Sequence, residues 1–167
     1  MSIAPFTIAT LTLPNGARIG ISRLPGRSGD LAGDVAQIVH WRAGLVVSMT
    51  QTDEMLTKGA AQLRPALAAL GIGWRHFPIR DYGAPGQADP RWPPLAIALH
   101  AALDAGQNVL LHCAGGKGRS GMVAMRLLTE RGRPPDAALA MIRVVRPGAV
   151  ETDAQMVWGS EIGRAHV

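Results

Sequence analysis

Hydrophobic and polar positions alternate in the first twenty or so residues of this chain. The alternation covers residues 6–13 and 17–21, on either side of the run Pro14-Asn15-Gly16. A period of two predicts β-strands, and Asn-Gly predicts a tight turn with positive φ angles between them. Three further segments have the length of buried strands, namely residues 45–49, 74–79 and Asn108–His112.

Between these strands, apolar residues recur at helical spacing. Leu31, Val35 and Ile38 predict a helix that ends near Gly44, and Thr52 is predicted to cap a second helix. Further helices are predicted over residues 60–70, 93–105, 119–130, 135–145 and 152–161. Strands that alternate with helices indicate an α/β fold. We expect a single domain over residues 1–167, with a mainly parallel central sheet of about four to five strands flanked by helices on both faces.

Composition narrows the class of protein. The chain has one cysteine, Cys113, so it cannot form an intramolecular disulfide. No apolar run approaches the roughly 20 residues of a membrane span, and the first residues lack the basic segment of a signal peptide. The histidines show no ligand spacing with carboxylates or thiols. We therefore expect a cytoplasmic monomer without a metal or other cofactor.

The charge of the chain indicates an anionic partner. The formal net charge is +5 and the sequence pI is about 10.6. The arginines are scattered, and aromatic residues make up only 4% of the chain, so a nucleic-acid interface is not expected. A phosphorylated protein or peptide fits the same charge.

The most informative segment runs from residue 109 to residue 121. A buried strand leads through several glycines into a helix, so successive backbone N–H groups converge on one concavity at the helix N-terminus. Arg119, six positions after Cys113, can clamp two phosphate oxygens with its planar guanidinium. The same amides and cations stabilise a Cys113 thiolate, which makes it a candidate nucleophile. A magnesium-dependent nucleotide loop is not indicated, because Gly118 follows Lys117 where Ser or Thr is required.

The run His112-Cys113-Ala114-Gly115-Gly116-Lys117-Gly118-Arg119-Ser120 resembles the signature of the cysteine-dependent protein tyrosine and dual-specificity phosphatases. The resemblance implies that His112 orients the loop and that Ser120 assists departure of the Cys113 sulfur. The loop residues Ala114, Gly115, Gly116, Lys117, Gly118 and Arg119 would bind the substrate phosphate. The short chain is similar to small atypical members of this family related to kinase-associated phosphatases.

Two residues outside the loop complete the candidate site. Asp81 lies in Pro78-Ile79-Arg80-Asp81, followed by Pro85, which is similar to the family's general-acid segment; Asp89 is the rival in the same loop. Gln155 resembles a glutamine that positions the hydrolytic water in one subgroup. Because Thr152 precedes it by three positions, Gln155 also fits a helix capping box.

These observations together predict a phosphoprotein phosphatase that forms a phosphocysteine intermediate and acts on phosphotyrosine, with dual specificity as an extension. The alternative is a phosphoinositide or other small-phosphoester phosphatase of the same mechanism. Its lipid-selective relatives carry a lysine directly after the cysteine, where this chain has Ala114. A rhodanese-type sulfurtransferase and a non-catalytic phosphate-binding module are the remaining competitors.

Overall fold

The computed structural model describes residues 5–162. Five strands and seven helices follow in the order β1 (Ala9–Thr12), β2 (Arg18–Ser22), α1 (Leu31–His40), β3 (Ala43–Ser48), α2 (Thr52–Thr57), α3 (Leu63–Ala69), β4 (Gly73–His76), α4 (Trp92–Asp104), β5 (Asn108–His112), α5 (Gly118–Glu130), α6 (Pro135–Val145) and α7 (Asp153–Gly159) within these residues.

The strands form one sheet in the order β1-β2-β5-β3-β4. Strands β2, β5, β3 and β4 pair in parallel, and β1 adds an antiparallel edge through the predicted hairpin. Helices cover both faces, so the predicted α/β class and mainly parallel sheet are confirmed. Ser22, Ser48 and His112 are aligned across the three central strands, which brings the carboxyl ends of these strands to one edge of the sheet.

Alternate residues of the central strands face two separate cores. Val109 and Leu111 belong to the core formed with α4, α5, α6 and α7, whereas Leu110 belongs to the core formed with α1, α2 and α3. In β3, Val47 belongs to the first of these cores and Val46 to the second. Successive strand side chains point to opposite faces, which explains why a strand buried on both sides is a continuous apolar run.

Several predicted boundaries are wrong by a few residues. Helix α1 ends at His40 rather than near Gly44, because Arg42 takes a left-handed φ of 66° and the chain enters β3. Strand β4 ends at His76 rather than at residue 79, helix α3 begins at Leu63 rather than at residue 60, and helix α7 ends at Gly159 rather than at residue 161.

Two predicted local features also differ. Thr52 does not cap α2; it is the first helical residue, Gln51 is the N-cap, and the Gln51 N–H donates to the Glu54 carboxylate over 3.0 Å. In the hairpin turn, Gly16 has φ 91° but Asn15 is not among the residues with positive φ. Leu13 N–H donates to Ala17 C=O, so the turn has a three-residue loop that needs only one glycine.

The helices of the described region are all too short or too polar to cross a lipid bilayer.

Candidate active site

Cys113 lies at the point where β5 ends, at the bottom of the loop that leads into α5. Its side chain is buried, and its Sγ lies 3.2 Å from the Oγ of Ser120 in the first turn of α5. The strand and the helix fix both ends of the loop, so the sulfur and the hydroxyl are held together although seven positions separate them. The predicted pairing of these two groups is present.

Three carbonyl oxygens of the loop are engaged by arginine side chains. Ala114 C=O accepts a hydrogen bond from Arg27 over 2.9 Å. Arg146 donates through its NH2 group to Gly115 C=O and through Nε to Gly116 C=O, each over 2.8 Å. Because the C=O and N–H groups of a peptide unit point in opposite directions, the N–H groups of these peptide units are directed away from the two arginines.

Gly116 is the loop position where glycine is required. Its φ is 73°, and a Cβ there would lie 2.5 Å from the backbone nitrogen of Arg23. A side chain would therefore meet both conformational strain and a backbone clash. The tight packing places the end of β2 directly beside the loop.

Arg119 is buried and makes a two-pronged ion pair with Glu54. Its NH1 and NH2 groups lie 2.6 Å and 2.9 Å from the two carboxylate oxygens of Glu54, and NH1 also donates to Ile79 C=O over 2.8 Å. Burial raises the pKa of the Glu54 carboxyl, but hydrogen bonds from Arg119 and Gln51 outweigh it and hold that pKa below its ordinary value. The guanidinium is thus fixed in orientation before any substrate binds.

The two candidate acids have different surroundings. Asp81 lies 3.4 Å from the NH2 group of Arg119, and its side chain remains 56% exposed. Asp89 accepts hydrogen bonds from Arg91, and those bonds hold the pKa of Asp89 below its ordinary value. Asp81 lines the same cavity as the loop residues Ala114 and Gly115, whereas Asp89 lines a different cavity, so the geometry favours Asp81.

Gln155 lies against the loop and is fully buried. A Cβ on Gly118 would lie 3.0 Å from its Oε1 and 3.1 Å from its Nε2. Its Oε1 accepts from the N–H groups of Glu151 and Thr152, and its Nε2 donates to Gly83 C=O over 3.1 Å. The capping box predicted for Thr152 is present. Most of the hydrogen-bonding capacity of Gln155 therefore serves the start of α7 and the segment that carries Asp81.

His112 is buried beneath the loop. Its Nε2 lies 2.5 Å from the Oγ of Ser48, and that hydroxyl also accepts from the indole N–H of Trp74. Burial lowers the pKa of His112 to about 4, so the ring is neutral near pH 7. The contacts tie the end of β5 to β3 and β4, in keeping with the structural role expected for this residue.

A cationic cleft of about 390 Å³ opens in front of the loop. We define it by its lining: the cations Arg23, Arg27, Lys58, Lys117 and Arg146, the carboxylates Asp81 and Glu151, and the neutral residues Tyr82, Ala114 and Gly115. Positive side chains outnumber negative ones by five to two, which raises the local concentration of anions. A larger cavity of about 580 Å³, lined by Trp92, Arg126 and Trp158 among others, contains no residue of the loop.

Most of the chain matches a known protein family. Residues 28–157 match the family described as PTP-SAK, the Swiss Army Knife protein DSP-PTPase phosphatase domain. The chain belongs to this family. It therefore contains a phosphatase domain of the cysteine-dependent protein tyrosine and dual-specificity type.

Individual proteins similar to this phosphatase include a candidate tyrosine phosphatase, 067L, of invertebrate iridescent virus 3. It is 32% identical over an alignment of 92 residues, and the match covers 51% of this chain and 38% of the viral protein. The chain thus spans less than half the length of that relative. Among solved structures, Tk-PTP in its active form is 28% identical, with a TM-score of 0.71 and coverage of 86% of this chain and 90% of the other.

The same fold occurs in kinase associated phosphatase carrying a serine in place of its catalytic cysteine. That structure has a TM-score of 0.82 and 24% identity, and the match covers 93% of each chain. At this identity the likeness supports the fold only. The backbone of the small phosphatase domain is therefore retained across most of the present chain.

Three further residues of this phosphatase hold the site together, and none of them stands out in the sequence. Glu54 holds Arg119, whereas Arg27 and Arg146 hold the loop carbonyls. These contacts join positions 30 to 87 apart, so no local pattern could have revealed them. Within residues 5–162, no group of three or more His, Cys, Asp or Glu side chains could hold a metal ion.

Proposed function

We propose that this phosphatase hydrolyses phosphate monoesters through a phosphocysteine intermediate on Cys113. The observation that carries the proposal is the engagement of three loop carbonyls by Arg27 and Arg146, beside the buried Cys113. Because the C=O and N–H groups of a peptide unit point in opposite directions, the N–H groups of these peptide units are directed away from the arginines and can bind the equatorial phosphate oxygens. Such preorganised donors stabilise the charge that develops in phosphoryl transfer.

In the first step the Cys113 thiolate attacks phosphorus and an S–P bond forms as the bond to the leaving oxygen breaks. Asp81 gives its proton to that oxygen, so the product alcohol or phenol leaves neutral. Arg119 and the loop amides bind the three non-bridging oxygens. Because Glu54 fixes the guanidinium, little reorganisation is needed when the phosphate arrives.

In the second step a water molecule attacks phosphorus and the S–P bond breaks. Asp81, now ionised, takes a proton from the water, and inorganic phosphate is released. Ser120 donates a hydrogen bond to the departing sulfur, which the 3.2 Å separation supports. Gln155 lies beside the loop, and among residues 5–162 its Nε2 donates one hydrogen bond, to Gly83 C=O, so the second N–H can contact the attacking water.

A phosphorylated protein is the first substrate class we propose. The similarity to the viral tyrosine phosphatase supports phosphotyrosine. Tyr82, 61% exposed at the rim of the cationic cleft, offers an aromatic surface to a substrate ring. The broader form of this proposal is dual specificity, with activity on phosphoserine and phosphothreonine as well. A small phosphoester is the second candidate, because most of the side chains that line the cleft are charged.

For the chain as a whole we propose one phosphatase domain over residues 1–167, monomeric and located in the cytoplasm. One cysteine and no disulfide are compatible with a reducing compartment.

Hydrolysis of p-nitrophenyl phosphate tests the mechanism. We expect the wild-type protein to be active with chelator present and the Cys113→Ser variant to lose all measurable turnover. With phenyl phosphate, whose leaving group needs a proton, Asp81→Asn should slow turnover by about 100-fold or more, since general acid catalysis contributes on that order, and it should slow p-nitrophenyl phosphate less. Asp89→Asn is the matched control and should remain near wild type. A folded Cys113→Ser variant that retains wild-type activity would sink the proposed mechanism.

A further inference from the structure

Arg23 has an unusual environment for a charged side chain. The residue is only 8% exposed, and its Nε and NH1 groups have no hydrogen-bond partner among residues 5–162. A buried guanidinium without a partner carries a large desolvation cost, and buried charges in proteins are normally paired. Arg119, by contrast, is also buried but pairs with Glu54 through both of its terminal nitrogens. Arg23 therefore lacks the counter-ion that its burial calls for.

The position of Arg23 indicates where that counter-ion would come from. Arg23 directly follows β2 and lines the cationic cleft together with Ala114 and Gly115. Its backbone nitrogen is one of the atoms that would clash with a Cβ on Gly116. The unpaired guanidinium thus stands beside the loop that binds the scissile phosphate, within the same cleft.

The other cations of the cleft differ in what they already bind. Arg27 and Arg146 donate hydrogen bonds to loop carbonyls, so they stabilise the loop rather than bind a ligand. Lys58 stands at the C-terminus of α2 and lines the same cleft as Arg23. Since Arg119 and the loop amides are the groups proposed to hold the scissile phosphate, Arg23 is available for a second anion.

We propose that Arg23, supported by Lys58, forms a second phosphate subsite beside the catalytic loop. The ligand class is a compact phosphomonoester that carries a second phosphate on the same small scaffold, such as a polyol bisphosphate. This proposal rests on the proposed function, since the first phosphate is the one hydrolysed. A planar guanidinium recognises phosphate through two parallel hydrogen bonds, which suits Arg23 better than a carboxamide or a hydroxyl would.

The lining of the cleft favours a small polyanion over a doubly phosphorylated peptide. Of the ten residues within 5–162 that line the cleft, seven are charged and one, Tyr82, is aromatic. A peptide would be expected to need apolar pockets or backbone hydrogen-bonding partners along an extended groove. A compact bisphosphate needs only cations around both phosphates.

The test compares two soluble substrates, an inositol monophosphate and an inositol bisphosphate with neighbouring phosphates. We expect wild type to prefer the bisphosphate in kcat/KM, and Arg23→Gln to lower the ratio of the two values by about 10- to 100-fold, as for loss of charge-assisted hydrogen bonds. The matched control is Arg133→Gln, an exposed arginine beyond the far end of α5, which should keep the wild-type ratio. An unchanged ratio in a folded Arg23→Gln variant overturns the proposal.

A binding measurement separates this proposal from the proposed mechanism. In the Cys113→Ser background, calorimetry should show that inositol bisphosphate binds more weakly when Arg23 is replaced by Gln, and Arg23→Lys should recover part of the affinity. If wild type hydrolyses p-nitrophenyl phosphate through Cys113 but the bisphosphate gains nothing from Arg23, the subsite is wrong and the mechanism stands. If no substrate is hydrolysed yet binding depends on Arg23, the subsite stands and the proposed mechanism fails. A stronger Arg23-dependent preference for a doubly phosphorylated peptide would overturn the small-molecule class.

Discussion

Arg119 depends on a residue that lies 65 positions away in the chain. Glu54 meets both terminal nitrogens of the guanidinium from the first turn of α2, and its side chain is only 13% exposed. An arginine with several free rotations would otherwise have to be ordered each time a phosphate binds. Glu54 is therefore a positioning residue in the proposed mechanism. The sequence identified the clamp from its spacing to Cys113 but could not identify what holds the clamp.

Glu54→Gln tests this positioning role. The substitution removes one charge and one acceptor, and we expect kcat/KM for p-nitrophenyl phosphate to fall by about 10-fold or more, as the loss of a charged hydrogen bond implies. Inhibition by inorganic phosphate should weaken in parallel, because the same guanidinium binds the product. Asp53→Asn, an exposed acid in the same turn, is the control and should behave as wild type. Full activity and full phosphate affinity in a folded Glu54→Gln variant would contradict the role.

At the scale of elements, the start of α7 holds the segment that carries Asp81. Thr152 Oγ1 donates to Tyr82 C=O over 3.3 Å and accepts from Gln155 N–H over 3.2 Å. Tyr82 adopts a φ of 61°, which is unfavourable for a bulky residue, and its N–H contacts the Asp81 carboxylate over 3.0 Å. Because these contacts oppose the strain, α7 fixes the position of the proposed acid.

Thr152→Val removes the hydroxyl of Thr152 and keeps the shape of its side chain. Both hydrogen bonds are lost, and we expect about 1 kcal/mol of stability to be lost with the helix cap. We also expect kcat to fall several-fold for phenyl phosphate, whose leaving group needs the Asp81 proton, and much less for p-nitrophenyl phosphate. Thr152→Ser keeps the hydroxyl and serves as the control. If both substrates slow equally in Thr152→Val, the contact stabilises α7 without positioning the acid.

Local patterns predicted the elements themselves well, for reasons that are physical. The apolar runs of β3 and β5 are continuous because each strand is buried on both faces, and the glycines of the 113–121 loop mark the turn from strand to helix. The predicted end of α1 near Gly44 is wrong because Arg42 takes a left-handed conformation that its residue type does not favour. Thr52 failed as a cap because Gln51 and Glu54 provide the capping contacts instead.

At the scale of the whole molecule, the strand order β1-β2-β5-β3-β4 brings the site together. The end of β5 delivers Cys113 between the end of β2, which carries Arg23, and the end of β3, which leads to Glu54. Ligands of open α/β sheets bind outside the carboxyl ends of the strands, and the cationic cleft is in that place. Periodicity predicted a parallel sheet, but the order of its strands depends on tertiary packing that no local pattern encodes.

The far end of α5 is anchored by a buried network centred on Glu130. Its carboxylate accepts from Trp92 Nε1 over 2.9 Å, from Arg126 Nε over 2.8 Å and from His100 Nε2 over 2.9 Å. Burial raises the pKa of Glu130, but the hydrogen bonds from His100, Arg126 and Trp92 outweigh it and bring that pKa to about 2. The network joins α4 to the helix whose first turn carries Arg119, roughly 16 Å away at 1.5 Å per residue.

Glu130→Gln is expected to destabilise the fold without impairing the chemistry. Removing the charge from a buried pair should cost about 3 kcal/mol in the free energy of unfolding at pH 7. A carboxyl whose pKa is lowered on folding contributes stability above its unfolded pKa, and that stability is lost as pH falls toward 2. The difference between wild type and variant in the free energy of unfolding, measured with urea, should therefore shrink by about 2 kcal/mol between pH 7 and pH 3. The expected slope is about 1.4 kcal/mol per pH unit below pH 4.5.

Glu161→Gln is the control for this prediction. It removes an acid that lies 3.3 Å from the same Arg126 but is 28% exposed, so it should cost less than about 1 kcal/mol. Because the network is distant from Cys113, kcat of the folded Glu130→Gln variant should equal that of wild type, and a large loss of kcat would mean that α5 transmits the change to the catalytic loop.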